Sequence, residues 1–292
     1  MVMVGVLLAA STQVAALEPA GSWVVDYRDQ GCTLARSFGS GADTVAVAWR
    51  VLPIGDKAQF IVSRHARDDG LQRSVATLAL AGGGTQESPF EAFSYGDRTT
   101  RRQQFQVTTT MFRDAPSDTV LTITPALGPA VSLKTTALAK AWKAVDACRA
   151  SVLGSWGKDP VRLANVVTPP RFVDPHGWIR WTDYPVAALA KGQMGTTAIA
   201  WTVGVDGSVE DCHVTISSGS PDLDDAVCRA LIGRARFIPG RDAAGKPVPA
   251  MLTRQIVWLM PGQGWKDDNA YVRYQEKLRR DDLASDGGAP KP

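Results

Sequence analysis

Six runs of β-branched and aromatic residues, at 23–25, 44–49, 60–62, 75–78, 105–109 and 120–123, set the character of the first half of this chain. Glycine, proline and aspartate separate them, as at Gly39-Ser40-Gly41, Gly82-Gly83-Gly84 and Asp114-Ala115-Pro116. Short apolar runs bounded by such breakers read as strands. The period then changes. Leu138, Ala141, Trp142, Val145, Cys148 and Val152 recur at three- and four-residue spacing, which puts them on one stripe of a helix over 136–153. Gly154 and Gly157 are placed to stop it. Residues 20–157 are therefore expected to form a small antiparallel β domain closed by one helix.

Pro160, Pro169, Pro170 and Pro175 crowd the next stretch, so residues 158–177 are expected to be an extended linker. A second pattern fills 178–261. Residues 183–192 suit a short helix, with Asp183 to cap it, Pro185 in its first turn and Gly192 at its end. Thr197, Ile199, Trp201 and Val203 then alternate with smaller residues, and Asp206-Gly207 is a hairpin signal. On the return strand, over 209–217, Cys212, Val214 and Ile216 are expected on one face, and His213 and Thr215 on the other. Leu223, Ala226, Val227, Ala230 and Leu231 mark a helix from about Asp222. A last strand, rich in Ile256, Val257 and Trp258, ends at Met260. The fold class is α+β: an α-β-β-α-β domain with a three-stranded antiparallel sheet and helices on one face. Residues 262–292 read as a charged helix and a disordered tail.

The four cysteines divide two and two, Cys32 with Cys148 and Cys212 with Cys228. An even count split this way predicts one disulfide per domain and an oxidising compartment. In the chain-entropy account the long loop is worth ~4–5 kcal/mol and the short one ~3 kcal/mol. Residues 1–16 hold an apolar run too short to span a bilayer, ending in Val14-Ala15-Ala16; this predicts a signal peptide cleaved near Ala16 and a periplasmic protein without a membrane span. No Lys or Arg precedes the run. The net charge of +3 and the scattered basic doublets do not point to nucleic acid. His65, His176 and His213 stand far apart, and no nucleophile elbow, zinc-protease or phosphate-loop motif occurs. No enzyme, metal or cofactor is expected.

Several short pieces of the second domain, taken in order, resemble the TonB C-terminal family. They are Asp183-Tyr184-Pro185, Gly195 before the first strand, Val205-Asp206-Gly207, Ser217-Ser218-Gly219, Leu223-Asp224, Ala235-Arg236-Phe237-Ile238-Pro239 and Gly245-Lys246-Pro247-Val248. The resemblance does not cover the first domain. It implies a periplasmic protein-interaction module that receives an extended peptide, the TonB box of an outer-membrane transporter, beside its last strand. By similarity that strand edge is Thr253, Arg254, Gln255, Ile256, Val257, Trp258 and Leu259. Such pairing takes affinity from main-chain N–H and C=O groups. An energy transducer of the family also has an uncleaved membrane helix and a long proline-rich spacer. Neither is expected here, so only the recognition half of that work is implied. The other reading is a secreted envelope scaffold or ligand-binding protein that uses this domain for docking or dimerisation.

Overall fold

The computed structural model describes residues 15–27, 31–66, 70–95, 99–126, 128–159, 162–163, 165–260 and 266–285. Nearly all of the expected leader, together with Trp265 and the tail from residue 286, lies outside them. The first unit is larger than the expected small domain. Its strands are β1 (Pro19–Asp26), β2 (Cys32–Phe38), β3 (Val45–Val51), β4 (Lys57–His65), β5 (Gln72–Leu80), β6 (Thr85–Tyr95), β7 (Thr100–Thr108), β8 (Thr119–Pro125) and β9 (Val131–Thr135). They bond in the order β1-β2-β3-β4-β7-β6-β5-β8-β9. Leu17 reaches across to β9: its N–H donates to the Ser132 carbonyl at 2.8 Å, and its carbonyl accepts from Lys134 N–H at 3.0 Å. This draws the two edges together, and the sheet is close to a barrel.

An aromatic ladder fills it. Trp49, Phe60, Phe105 and Phe90 face one another on adjacent strands, with ring centroids 4.5, 5.6 and 5.1 Å apart. Phe112 from the single turn α1 (Thr110–Arg113) and Trp142 from α2 (Leu138–Ser155) pack against Trp49. The predicted stripe of α2 is buried, and the Cys32–Cys148 disulfide ties it to β2. Contrary to expectation, α2 runs through Gly154 and ends before Gly157, whose φ is +67°. Strand β6 escaped the pattern because Pro89 and its glutamates break the apolar run. Pro89 has no N–H to give, and it sits where the ladder with β7 stops; there the Ser88 hydroxyl bonds the Gln106 carbonyl at 2.6 Å.

The second unit has the expected order and sheet. It comprises β10 (Arg171–Phe172), α3 (Val186–Ala190), β11 (Gly195–Val203), β12 (His213–Ile216), α4 (Pro221–Arg234), β13 (Phe237–Ile238), β14 (Gly240–Arg241), β15 (Pro247–Val248) and β16 (Ala250–Trp258). The sheet order is β12-β11-β16, antiparallel throughout. Helix α4 packs on Ile199, Trp201 and Val203, and Cys212–Cys228 joins it to the return strand. Asp183 caps a 3-10 turn over Trp181–Asp183, accepting Arg180 N–H at 2.7 Å, and α3 starts after Pro185.

The return strand corrects the simple alternation. Its regular part is only His213–Ile216. Asp211 stands in for main-chain pairing by accepting Thr202 N–H at 2.7 Å. The register passes from Ile199↔Val214 to Ala198↔Ile216, so Thr215 is an extra residue, a β-bulge. Val214 and Cys212 pack toward α4, while Ile216 is thrown to the opposite face with Ala198.

That opposite face is not open. Ala198 and Ile216 pack on Leu52, and Ala200 and Met251 pack on Leu153, so the sheet docks on the first unit. Trp156 stacks flat on His213 at 4.1 Å, and Lys158 bonds Asp211 at 2.6 Å.

The stretch expected as a linker is part of the second unit. Val167 and Thr168 donate to the Arg241 carbonyl, β10 pairs β13, and Phe172 stacks on Trp178. Its prolines suit an edge strand that gives few N–H groups. The segment after β16 returns to the first sheet. Strand β17 (Lys266–Asp267) pairs parallel with β5, and α5 (Asn269–Ser285) follows, with Lys277 3.3 Å from Glu87. Among the described residues no helix is long and apolar enough to cross a membrane.

These contacts revise the boundary at which the second unit separates. A fragment of residues 165–260 keeps β10 under Phe237; one of residues 175–261 loses Phe172. We expect the shorter fragment to be less stable in urea by about 2 kcal/mol, the scale of one partly buried aromatic side chain. Equal midpoints under oxidising conditions would show that β10 contributes nothing.

Candidate functional site

Strand β16 is the edge expected from the sequence, although it spans 250–258 and Leu259 lies just beyond it. Its outward main-chain groups follow from its partner. Thr202 receives Glu210 N–H at its carbonyl (2.9 Å) and donates to Asp211, so its main chain points toward β12. By alternation, the main chains of Thr197, Ile199 and Trp201 point toward β16, where the register sets them against Ile256, Arg254 and Leu252. Thr253, Gln255 and Val257 therefore turn N–H and C=O away from β11. No described strand pairs with that side.

The two faces of β16 also differ. Arg254 lies opposite Ile199 and spreads its guanidinium over Phe172 and Trp178, at 5.4 and 5.7 Å. Thr253, Gln255 and Val257 lie opposite Ala200, Ala198 and Thr196, on the face turned to the first unit. Gln255 accepts a bond from the Gln106 amide of β7. Beyond it a cleft of about 460 Å³ opens between the end of β16 and the outer face of the first sheet.

Most of the motif residues hold this edge in place and do not face a ligand. Asp224 is buried and accepts from Thr197 Oγ1 (2.7 Å), Ser217 Oγ (2.5 Å), Ser218 N–H (2.9 Å) and Ser218 Oγ (2.8 Å). Trp258 donates its indole N–H to the same Thr197 hydroxyl at 3.1 Å. Tyr184 meets Trp258 edge-on at 5.4 Å and donates to the Gln193 carbonyl. A Cβ at Gly195 would strike the Ser218 carbonyl, and one at Gly207 the Phe237 carbonyl. Asp206 accepts Ser208 N–H at 2.9 Å and so closes the hairpin. Leu223 and Phe237 are core residues. Pro185 precedes α3, Pro239 separates β13 from β14, Gly219 and Gly245 shape the loops at 217–220 and 242–246, and Pro247 opens β15. Of the motif residues Gly195, Ser217, Ser218 and Gly219 also line the cleft, and so does Trp258.

His65 closes β4 and His176 lies in a turn, its N–H bonded to Asp174 at 3.0 Å. His213 is packed between the units, stacked on Trp156. Burial pushes its pKa down from its ordinary 6.5; Asp211 opposes this and Lys158 adds to it. Burial alone would raise the Asp211 carboxyl. The bonds from Lys158 and Thr202 outweigh it and hold the group below the ordinary range. The side chains that line the cleft from the first unit, Gln59, Gln104 and Arg102 among them, carried no signal in the sequence, because polar residues on a strand read as solvent-facing.

Residues 182–259 match the family model described as Gram-negative bacterial TonB protein C-terminal. A solved structure, the solution NMR structure of Pseudomonas aeruginosa TonB CTD, is similar at 22% identity, over 32% of this chain and 90% of that one, with a TM-score of 0.26. No curated protein matches. The matched family is one of protein-interaction domains, and the two disulfides suit an oxidising compartment such as the cell envelope.

The contact between the units should respond to acid. His213 is held neutral in the folded state, so its stabilisation is present above its ordinary pKa and is lost as pH falls through and below it. Asp211, held charged, gives stability above the ordinary carboxylate range that is lost at lower pH still. The urea midpoint of the full chain should therefore fall between pH 7 and about pH 5, and His213→Gln should flatten that limb. An unchanged slope in the variant would assign the titration elsewhere.

Proposed function

We propose that this chain is a periplasmic TonB-like recognition protein whose β16 edge takes up an extended peptide from an outer-membrane transporter or another envelope partner. One observation carries the reading: Thr253, Gln255 and Val257 turn their main-chain groups to a side of β16 that no described strand occupies. The match of residues 182–259 to a TonB C-terminal family model supports the class of partner. Main-chain pairing supplies most of the affinity in such a complex, and side chains beside it supply selectivity. The protein acts by binding, exported through its apolar leader and oxidised after export.

Proline scanning separates the two sides of the strand. Val257→Pro removes an N–H that faces outward, so it should leave the fold intact and abolish binding of TonB-box peptides, followed by amide shifts in NMR titration. Ile256→Pro removes an N–H bonded to β11, so its first effect should be a loss of stability of about 3 kcal/mol. If no such peptide shifts the amides of 253–257, edge capture fails and the envelope-scaffold reading takes its place.

A further inference from the structure

One end of the first sheet carries polar side chains where the rest of its interior is apolar. Phe60, Phe105 and Phe90 face inward from β4, β7 and β6. Alternation puts Arg64, Arg101, Gln103 and Ala92 on the same face of those strands, and Ser74 of β5 joins them opposite Phe90. Together they border a cavity of about 500 Å³, with Phe90 and Ala92 as its apolar floor. The segment after β16 supplies one wall. Lys266 and Asp267 pair with β5, and Asp268 accepts a bond from the Ser74 hydroxyl.

Arg64 and Arg101 stand directly opposite each other across β4 and β7, and like charges so placed cost stability. Arg101 is buried, and its bonds go to neutral groups, the Gly70 carbonyl at 3.4 Å and the Gln72 side-chain oxygen at 2.7 Å. Arg64 has less. Its Nε is buried and meets no acceptor among the described residues. Burial, and then the neighbouring Arg101, hold Arg64 below the ordinary guanidinium range, as befits a cation whose surroundings bring it no counter-charge. The carboxylates of the lining are engaged elsewhere. Asp268 accepts from Ser74 and from Tyr271 N–H at 2.8 Å, and Asp267 lies 4.0 Å from Arg73.

We propose that this cavity binds a small organic carboxylate, its anionic group between the guanidiniums of Arg64 and Arg101 and its compact apolar body on Phe90 and Ala92. Planar guanidiniums on adjacent strands match a carboxylate in shape and charge. The volume suits one small ligand. The stacked rings of Phe60, Phe105 and Phe90 fill the sheet beyond the floor, so a long chain has nowhere to go. The first unit is then a ligand-binding domain in its own right, and the reading does not depend on edge capture.

The test uses the full chain, labelled with 15N and held at constant ionic strength, with benzoate, its uncharged isostere benzamide and inorganic phosphate as probes. Benzoate should bind about 10-fold more tightly than benzamide, the scale of one bond to a charged group. It should also bind more tightly than phosphate, which has no body to lay on the floor, and should shift the amides of Arg64, Ala92 and Arg101. Arg64→Met keeps the unbranched stem and removes the charge. It should bind benzoate no better than benzamide, while its urea midpoint without ligand equals or exceeds that of the unaltered chain, because the like-charge pair is gone. Arg64→Lys, with the charge but not the fork, should keep part of the preference. A lower midpoint for Arg64→Met would show that Arg64 serves the fold, and would overturn the assignment. So would equal binding of benzoate and benzamide, a preference that survives Arg64→Met, phosphate binding as tight as that of benzoate, or benzoate that leaves those three amides unmoved.

Discussion

Strand β11 is buried on both faces, and the rest of the molecule is arranged around that fact. Ile199, Trp201 and Val203 enter the core under α4, while Ala198 and Ala200 meet the first unit. A central strand covered on both sides is a near-continuous apolar run, as this one is. The alanines matter because they are small. They let the sheet come down onto Leu52 and Leu153, with Ile216 and Met251 packed beside them. With β11 pinned, β16 has one position, antiparallel beside it, and its edge runs over β7. The geometry of any peptide captured there is thus set by packing on the far side of the neighbouring strand.

The motif residues serve the same end. Asp224 gathers four donors from β11 and the loop at 217–218, and Trp258 joins the network through Thr197. A buried carboxyl group is tolerated only when its acceptor capacity is used this fully. These contacts hold the start of β11 and the end of β16 together, where the outward row of main-chain groups stops. Recognition by main chain leaves little mark on side-chain identity. The residues that identify the domain are therefore those that fix its backbone.

This division explains what could be read from the sequence. The stripe on α2, the Asp206-Gly207 hairpin, the helix from residue 221 and the final edge strand are local patterns, and each lies where its period put it, within a residue or a few. Both disulfides follow from which elements those patterns bring together. The misses around the interface between the units are nonlocal. Thr215 is a bulge because Ile216 is needed at the interface, and no period shows that in advance. The prolines at 169 and 170 looked like a linker because the sequence does not reveal that Phe172 has Phe237 to pair with. Ala198 and Ala200 looked like the weak side of an amphipathic strand, yet they are the docking surface. Polar residues such as Gln59 and Gln104 were invisible as site candidates, since their role depends on a second domain lying across them.

An open strand edge must be either protected or used, because its unpaired groups will otherwise pair with whatever chain is near. The usual protections are a proline, an inward charge, a bulge or a covering helix. Between residues 250 and 258 there is no proline, and the register with β11 runs unbroken from Gly195↔Trp258 to Val203↔Ala250. The one charge, Arg254, is folded over Phe172 and Trp178 on the other face. Helix α5 packs on β5, with Lys277 reaching Glu87 of β6. Beneath the edge lies the first unit, with Gln106 bonded to Gln255 and with Gln104 and Glu91 in the cleft beside Val257. A floor of that kind blocks indiscriminate pairing without closing the edge, because an arriving strand must satisfy polar side chains as well as main-chain bonds.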